Sequence, residues 1–408
     1  MRKMKESGIE WIGQIPTTWK ITNISRIYNI KAGGDLDVDN YSDVSTEIHK
    51  YPIYTNKQNK YDAYGYTSVS RYKSNSITVT GRGDIGIAFY RECEYDAIIR
   101  LLVLTPKNKR MCKYHEYFIN SVMNFKEGSS AIQQLSTQQL SPHKICLPFQ
   151  NEQEEIVTYL DHKCTKIDET IEMENQVIEK LKAYKQSVIT EAVTKGLDTN
   201  VPMKDSGIEW TEVIPEHWKA IKLKYEFRIK KNIAGKDGYD ILSVTQKGIK
   251  IKDISNNKGQ ISMDYTKYQL VDINDYVMNH MDLLTGFVDC SKYVGITSPD
   301  YRVFSLINNK NSKEYFKYIF QSCYTNKIFY GLGQGVSGLG RWRLQTDKFL
   351  NFSLPIPQIC EQDKIASYLN NKCLNIDRAI IQKENLIEKL TQYKKSLIYE
   401  CVTGKQEV

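Results

Sequence analysis

Short catalytic motifs are missing from this sequence. It has no G-x-x-x-x-G-K-[ST] run for nucleotide phosphates, no H-E-x-x-H pair for zinc, and no Asn-Pro-Pro-aromatic or Asp-Pro-Pro-aromatic run typical of adenine methylation. The glycines from Gly333 to Gly338 match G-x-G-x-x-G in spacing, but residues 317–330 before them predict a helix, whereas this fingerprint follows a strand. We therefore expect no catalysis and no cofactor bound by this chain.

Metal-binding and membrane-spanning patterns are missing as well. The nine cysteines form no C-x-x-C pair and lie near no histidine at zinc-ligand spacing, which predicts free thiols in a reducing compartment and no metal site. No run of about 18 apolar residues occurs, and no apolar segment follows the charged residues 1–10. We expect a cytoplasmic protein with no membrane partner.

Length and charge favour several domains and a polyanionic partner. A chain of 408 residues exceeds one ordinary core, and 41% hydrophobic with 25% charged residues is typical of a globular protein. The net charge of +8 favours nucleic acid, although the abundant lysine and asparagine are equally expected from an AT-rich gene.

The most informative feature is a long internal repeat. Residues 4–11, Met-Lys-Glu-Ser-Gly-Ile-Glu-Trp, and the Ile-Pro-x-x-Trp that follows recur at an offset of 199, with one Glu-to-Asp difference. The sequence Glu-Gln-x-x-Ile-x-x-Tyr-Leu begins at Glu152 and again at Glu361, an offset of 209. The Leu-Pro pairs at Leu147 and Leu354 differ by 207, which predicts two extra residues before the second copy. Residues 20–146 and 219–353 show no such similarity, so a repeated frame carries two different inserts.

Each copy of the frame contains a predicted long helix. Residues 152–195 include no proline or glycine, and apolar residues recur at steps of four and three, which predicts a coiled-coil seam. The matching stripe from about residue 361 is the expected partner, packed antiparallel under a pseudo-twofold repeat and holding the inserts at a fixed separation. The predicted spacer positions are Leu160, Ile167, Ile171, Glu174, Ile178, Leu181, Val188, Leu369, Ile376, Ile380, Lys383, Ile387, Leu390 and Leu397.

Two polar positions stand near the middle of this seam. Glu174 and Lys383 are repeat equivalents of opposite charge, and we predict that they meet and fix the register. A seam of this kind is also typical of a simple stalk or a homodimer.

Both inserts predict small mixed α/β domains. Strands are expected at 76–80, 98–104, 276–278 and 301–307, and helices at 114–124 and 313–324. Their loops combine glycine, cations and amides, the residue types that approach phosphates and pair with base edges, although each residue alone is equally typical of a solvated surface. The candidate DNA-binding residues are Lys57, Lys60, Arg71, Lys73, Arg82, Gln133, Gln134, Lys247, Lys250, Lys252, Asn279, His280, Arg341 and Arg343.

The two ordered sets of motifs resemble the DNA-specificity subunit of type I restriction-modification systems, over essentially all 408 residues. The resemblance implies an α+β fold with two globular α/β target recognition domains separated by two long antiparallel coiled-coil helices. It implies a non-catalytic subunit that reads a bipartite asymmetric site in double-stranded DNA, one half with each domain, and that scaffolds two methyltransferase (M) subunits and restriction/translocase (R) subunits. S-adenosylmethionine, ATP and Mg²⁺ would be bound by those partners, and the assembled complex would have N6-adenine methyltransferase and ATP-dependent endonuclease activity.

The resemblance also implies a division into six segments. These are an N-terminal frame segment (1–19), a first target recognition domain (20–150), a central helix (151–200), a repeated segment (201–218), a second target recognition domain (219–357) and a C-terminal helix (358–408).

Two other interpretations stay open. The chain fits a specificity subunit of a methylation-only or related defence complex equally well. From another class, a coiled-coil scaffold that binds no DNA is predicted to lack salt-sensitive DNA binding. An independent enzyme is the least favoured, because no catalytic site is apparent.

Overall fold

A computed structural model describes residues 2–57, 59–99, 101–108, 110–123, 125, 134–253, 264–335 and 342–408. The chain forms two units. Unit 1 consists of Met1–Glu174 with Glu384–Val408, and unit 2 consists of Asn175–Lys383. Among the residues described, no helix is both long enough and apolar enough to span a bilayer.

The secondary structure elements are numbered along the chain. The strands of unit 1 are β1 (Met4–Glu6), β2 (Gln14–Pro16), β3 (Lys20–Asn23), β4 (Tyr28–Ala32), β5 (Tyr51–Tyr54), β6 (Gly65–Thr67), β7 (Ser76–Thr80), β8 (Ala88–Arg91), β9 (Asp96–Ala97), β10 (Leu101–Pro106) and β11 (Lys144–Leu147). Those of unit 2 are β12 (Met203–Ile208), β13 (Thr211–Pro215), β14 (Lys219–Lys222), β15 (Phe227–Lys230), β16 (Leu242–Thr245), β17 (Gly248–Ile251), β18 (Gln269–Val271), β19 (Tyr276–Met278), β20 (Val288–Cys290), β21 (Gly295–Thr297), β22 (Arg302–Leu306) and β23 (Ser353–Ile356). The helices are α1 (Ile24–Ile27), α2 (Cys112–Val122), α3 (Thr137–Leu140), α4 (Gln150–Lys195), α5 (Leu223–Glu226), α6 (Lys313–Thr325), α7 (Ile328–Gly331), α8 (Thr346–Asn351) and α9 (Ile359–Val402).

Each insert is built on a four-stranded antiparallel sheet. The strand order is β4-β10-β7-β8 in unit 1 and β15-β22-β19-β20 in unit 2. Inner strands such as Ser76–Thr80 are buried along their whole length, and their β-branched side chains favour extended backbone. Helix α2 packs on the first sheet and α6 on the second. The two inserts therefore share a fold although their sequences show no correspondence.

The frame and the insert of each unit fill one main hydrophobic core together. In unit 1, Trp19 and Leu160 of the frame lie in the same core as Phe118 of α2. In unit 2, Trp218 of the frame lies in the same core as Phe320 of α6. Both tryptophans are fully buried, so each insert is anchored on its own copy of the frame.

The two long helices pack antiparallel, as predicted. In unit 1 the first half of α4 lies against the last half of α9, and Lys394 Nζ is 2.6 Å from Asp168 Oδ2. In unit 2 the last half of α4 lies against the first half of α9, and Lys185 Nζ is 2.7 Å from Asp377 Oδ1. Asp377 is the repeat equivalent of Asp168, and Lys394 is the repeat equivalent of Lys185, since each pair of positions differs by 209. The two ion pairs are therefore the same contact, made once in each unit.

The glutamine of the Glu-Gln motif binds the residue that follows the strand before each long helix. The Gln153 amide donates to the Pro148 carbonyl at 3.0 Å, and the Gln362 amide donates to the Pro357 carbonyl at 3.0 Å. Strand β11 pairs with β3 in the same register as β23 with β14. Pro148 therefore corresponds to Pro357 at the offset of 209. The two extra residues predicted here were wrong, because Leu354 lies in the middle of its strand rather than at its end.

A tyrosine of each insert contacts the C-terminal end of a long helix. The Tyr114 hydroxyl donates to the Val402 carbonyl at 3.0 Å, and the Tyr315 hydroxyl donates to the Val193 carbonyl at 3.3 Å. Residues 193 and 402 are repeat equivalents, and both tyrosines are fully buried. The inserts thus contribute the same frame contact from different sequences.

One predicted strand is shorter than expected. The apolar run 98–104 is interrupted by a turn in which the Leu101 N–H donates to the Ile98 carbonyl at 3.2 Å, while the Ile99 N–H donates to the Gly34 carbonyl at 2.9 Å. Strand β10 therefore begins at residue 101, and its predicted start was wrong. The strands predicted at 76–80 and 276–278 are confirmed. The ends of the strand predicted at 301–307 and of the helices predicted at 114–124 and 313–324 differ from the observed ends by at most two residues.

Candidate nucleic-acid interface

In unit 1, three distant segments meet where the inner strand β7 ends. We define the strand-end site of unit 1 as Asn56, Gly81, Arg82, Gln134 and Leu135. The Leu135 N–H donates to the Gly81 carbonyl at 2.8 Å, and the Gly81 N–H donates to Asn56 Oδ1 at 3.0 Å. The backbones of Arg82 and Gln134 pair as an antiparallel bridge. These bonds hold the loop between β7 and β8 to two other parts of the insert.

Unit 2 builds the same arrangement where β19 ends. We define its strand-end site as Asn279, His280, Arg343 and Leu344. The Leu344 N–H donates to the His280 carbonyl at 2.9 Å, as Leu135 does to Gly81 in unit 1. Position 280 therefore matches position 81, and position 343 matches position 134. This backbone hydrogen bond is common to the two sites, whereas the side chains that they present differ.

Two lysine candidates of unit 1 are bound within the chain. The Lys57 ammonium donates to the Ala63 carbonyl at 2.9 Å. The Lys60 ammonium lies 3.2 Å from Glu92 Oε1 and over the ring of Tyr90. Both lysines follow β5, and these contacts fold their segment back on the insert.

The next two cationic candidates of unit 1 are paired with carboxylates. Arg71 Nε lies 3.4 Å from Asp96 Oδ2, and Lys73 Nζ lies 2.6 Å from Glu94 Oε1. The hydrogen bond from the Lys73 ammonium lowers the pKa of Glu94, and burial raises the pKa of Asp96. The positive charge of Arg71 and Lys73 is thus partly neutralised inside the unit.

Arg82 and Gln134 are both exposed at the strand-end site. The Arg82 guanidinium makes no hydrogen bond or ion pair with any residue that the structure describes. Gln133, the remaining candidate of this insert, lies outside the described residues. The structure therefore brings together one cation and one amide from the set predicted for unit 1.

The lysine candidates of unit 2 lie on the β16–β17 hairpin and just beyond it. Lys247 is exposed in the turn, whose neighbour Gln246 donates to the Thr285 carbonyl at 3.4 Å. The turn thereby contacts the loop that follows β19. Lys250 is exposed on β17, and Lys252 is half-buried after it. The Gln246 contact places the turn that carries Lys247 against the loop after β19.

His280 is half-buried at the strand-end site and carries no charge near neutral pH. Burial, together with the positive charges of Arg302 and Arg343, lowers the pKa of His280 to about 4. The neighbouring Asn279 accepts a hydrogen bond at Oδ1 from the Met281 N–H at 3.3 Å. Positive charge at the surface here comes from Arg343, which is exposed, while Arg341 lies outside the described residues.

Arg302 is a site residue that the sequence interpretation missed. It is buried, and its guanidinium donates to the Leu344 carbonyl at 3.0 Å and to Thr346 Oγ1 at 3.3 Å. The guanidinium also lies over the Phe349 ring, and desolvation lowers its pKa to about 10. Arg302 thereby fixes the segment that carries Arg343. A charged residue inside the apolar run 301–307 was the available signal.

The spacer positions occupy one side of the long helices. Seven are buried, namely Leu160, Ile167, Ile178, Val188, Leu369, Ile376 and Leu397. The others are half-buried, namely Ile171, Glu174, Leu181, Ile380, Lys383, Ile387 and Leu390. Glu174 belongs to unit 1 and Lys383 to unit 2, and their contact stays a prediction.

The repeated fold, the antiparallel long helices and the two equivalent strand-end sites define an α+β protein that presents one type of surface twice, with different side chains. The chain belongs to the family of the type I restriction modification DNA specificity domain, which it matches over residues 16–183 and 216–392.

Two curated relatives come from Mycoplasma pneumoniae M129, both described as type I specificity subunits. S.MpnORF89P is 31% identical over 132 residues, which are 32% of this chain and 39% of that protein. S.MpnORF507P is 29% identical over 143 residues, which are 35% of this chain and 38% of that protein. The chain thus spans about two fifths of the length of these relatives.

The fold is also that of a chain in a solved structure concerned with the assembly and conformational transition of a type I restriction-modification system. The TM-score is 0.69 at 9% identity, covering 96% of this chain and 99% of that one.

Proposed function

We propose that this protein provides the DNA sequence specificity of a type I restriction-modification enzyme. Each insert serves as a target recognition domain and contacts one half of a bipartite asymmetric site in double-stranded DNA, in the cytoplasm. Family membership supports this proposal, and so does the net charge of +8. The chain itself performs no chemistry in this account.

The observation that carries the proposal is the equivalence of the two strand-end sites. Both sites contain the same backbone hydrogen bond, in which a leucine N–H donates to the carbonyl that follows the inner strand, at 2.8 Å in unit 1 and 2.9 Å in unit 2. The side chains at the matching positions are Gly81 and Gln134 in one unit, and His280 and Arg343 in the other. A shared backbone contact with different side chains around it supports one mode of docking on DNA with two different base preferences.

The proposed partners follow from the family. Two methyltransferase (M) subunits and the restriction/translocase (R) subunits assemble on this chain, and they bind S-adenosylmethionine, ATP and Mg²⁺. The long helices α4 and α9, of 46 and 44 residues, support this role, because many of their polar residues are exposed. The complex then carries N6-adenine methyltransferase and ATP-dependent endonuclease activity.

Co-expression with the methyltransferase encoded beside this gene tests the proposal. Modified adenines in the host genome are mapped by single-molecule sequencing, and one bipartite motif with a fixed gap is the expected result. Exchanging residues 20–150 for another insert is expected to change only one half of the motif. A stable complex with active methyltransferase that yields no motif would contradict the proposal and favour a scaffold that binds no DNA.

A further inference from the structure

Among the cationic candidates of unit 1, Arg82 differs from the rest in its contacts. Lys57, Lys60, Arg71 and Lys73 each bind a carbonyl or a carboxylate of the same unit. The Arg82 guanidinium has no such partner among the described residues, yet its backbone is fixed by pairing with Gln134. A side chain that is free at its tip and fixed at its base is suited to a directional contact with a ligand.

Unit 2 presents an arginine at the same point of the fold from the other segment. The backbone of Arg343 pairs with that of Gln334, with N···O distances of 3.0 and 3.1 Å. The buried Arg302 holds the adjacent Leu344 carbonyl at 3.0 Å. The Arg343 side chain is exposed and makes no hydrogen bond or ion pair within the described part of the chain. Each strand-end site thus carries one arginine, on the loop in unit 1 and on the returning segment in unit 2.

We propose that Arg82 and Arg343 are the base-reading arginines of this protein, each pairing with the O6 and N7 atoms of a guanine in its own half-site. This inference rests on the proposed function. The planar guanidinium matches these two acceptors in the major groove, and this is the commonest specific contact between a side chain and a base. Each half of the recognition site then contains at least one G·C pair whose identity depends on one arginine.

The alternative is that these arginines contact phosphates. A phosphate contact attracts any DNA sequence equally, and a lysine in place of the arginine keeps this contact as a point charge. A base contact is different, because lysine keeps the charge but loses the two-pronged geometry. Substitution by lysine therefore separates the two roles.

The test uses the complex of the full chain with its methyltransferase, a library of duplexes in which each motif position is varied singly, and methyl incorporation as the readout. We expect Arg82→Ala and Arg82→Lys each to reduce the preference for guanine at one position of one half-site by about 5- to 150-fold, the value of one bidentate contact. Arg343→Ala and Arg343→Lys are expected to do the same in the other half-site. Matched controls are Lys107→Ala in unit 1 and Lys267→Ala in unit 2, whose ammonium groups are bound by the Ser25 carbonyl and by Asp264. These controls are expected to leave the motif unchanged.

Uniform weakening across all duplexes, or an unchanged motif, would overturn the inference. In either case a bipartite motif of the unsubstituted complex would leave the proposed function standing, whereas the absence of any motif would remove both. Both arginines are exposed, so the variants are expected to fold, and an unchanged melting temperature of the complex verifies this.

Discussion

The frame and the inserts repeat in different ways. The two copies of the frame share several contacts made by the same residue types, as in the Gln153 and Gln362 amides and in the two aspartate–lysine pairs between α4 and α9. The two inserts share a strand order but no corresponding sequence. A sheet needs only an apolar pattern with suitable turns, whereas a buried hydrogen bond needs particular atoms. Loops on such a sheet are therefore free to differ, while the residues that make these shared frame contacts are not.

The two units also differ at a few equivalent positions inside their cores. In unit 1, Trp19 Nε1 donates to Glu152 Oε2 at 3.0 Å, and Glu152 is also bonded to Arg2. In unit 2, the matching Glu361 instead binds His217 at 2.8 Å, and the buried Trp218 Nε1 has no partner among the described residues. The two tryptophans are thus equally buried but differ in their hydrogen bonding, and substitution at the two positions can test this difference.

The largest expected difference between the units lies at the glycines that follow the long helices. Gly404 and Gly196 have φ of +71° and +78°, where any side chain is strained. A Cβ atom on Gly404 would lie 2.4 Å from Pro16 Cδ, whereas one on Gly196 would lie no closer than 3.3 Å to any neighbour. We expect Gly404→Ala to cost about 2–5 kcal/mol of unfolding free energy and Gly196→Ala about 1–2 kcal/mol. Urea denaturation of both variants measures this, and equal losses would contradict the argument.

The tryptophan comparison is expected to give the next largest effect. Replacement by phenylalanine removes similar packing from both units, but only Trp19→Phe breaks a hydrogen bond to a carboxylate. Such a bond contributes about 1.5–3 kcal/mol, whereas removing an unpaired buried donor relieves a cost. We expect Trp19→Phe to be more destabilising than Trp218→Phe by about that amount in urea denaturation. A larger loss of unfolding free energy for Trp218→Phe than for Trp19→Phe would contradict the proposed difference in hydrogen bonding between the two indoles.

A buried polar pair in unit 1 corresponds to an aromatic pair in unit 2. Tyr28 and His115 meet edge to face at 5.4 Å between ring centroids, and Phe227 and Phe316 do so at 5.1 Å. Burial lowers the pKa of His115 to about 3, with the positive charge of Arg110 adding to the effect. The folded state therefore keeps His115 neutral, while the unfolded state takes up a proton below about pH 6.5. This contribution to stability is complete above pH 6.5 and is lost as the pH falls towards 3.

Converting the first pair into the second tests this acid sensitivity. Between pH 6.5 and pH 5 the His115 contribution falls by about 2 kcal/mol. We expect the double variant Tyr28→Phe, His115→Phe to remove this loss in unit 1. Hydrogen exchange of the α2 amides reports on unit 1, so His280 in unit 2, whose pKa is also lowered, does not obscure the result. Unchanged acid sensitivity of α2 would show that another group dominates.

The smallest expected effect belongs to the repeated ion pairs. Both are partly exposed, so each is worth about 0.2–1 kcal/mol. We expect Lys394→Met and Lys185→Met to be nearly equal in effect, because the pairs are repeat equivalents. A double-mutant cycle with Asp168→Asn or Asp377→Asn measures each coupling, and couplings of opposite sign would show that the two contacts are not equivalent.

The frame could be predicted from the sequence because each copy served as a reference for the other. The long helices, their antiparallel pairing and the boundaries near residues 150 and 359 follow from repeated motifs and an uninterrupted apolar stripe. The six-segment division beyond those helices stays a prediction. The match of Leu147 with Leu354 failed because strand pairing, not the dipeptide, determines the register.

The interface could be predicted only in part. From residue type alone, Lys60 and Lys73 were as good candidates for DNA binding as Arg82. The carboxylates that bind these two lysines are distant from them in the sequence. Arg302 was missed because its role depends on its position beneath Leu344 in the folded insert. Tertiary contacts thus decide which cations are available to a ligand, and no local pattern records them.

Duplicating one insert tests the central claim most directly. Residues 20–147 are replaced by a copy of residues 219–356, so that β14 and β23 take the places of β3 and β11, which pair in the same register. The chain is then co-expressed with the methyltransferase, and modified adenines are mapped. Our account predicts a new motif made of two copies of the second half-site, with the first half-site lost. Retention of the original motif by a folded, active complex would contradict the claim that each insert reads its own half.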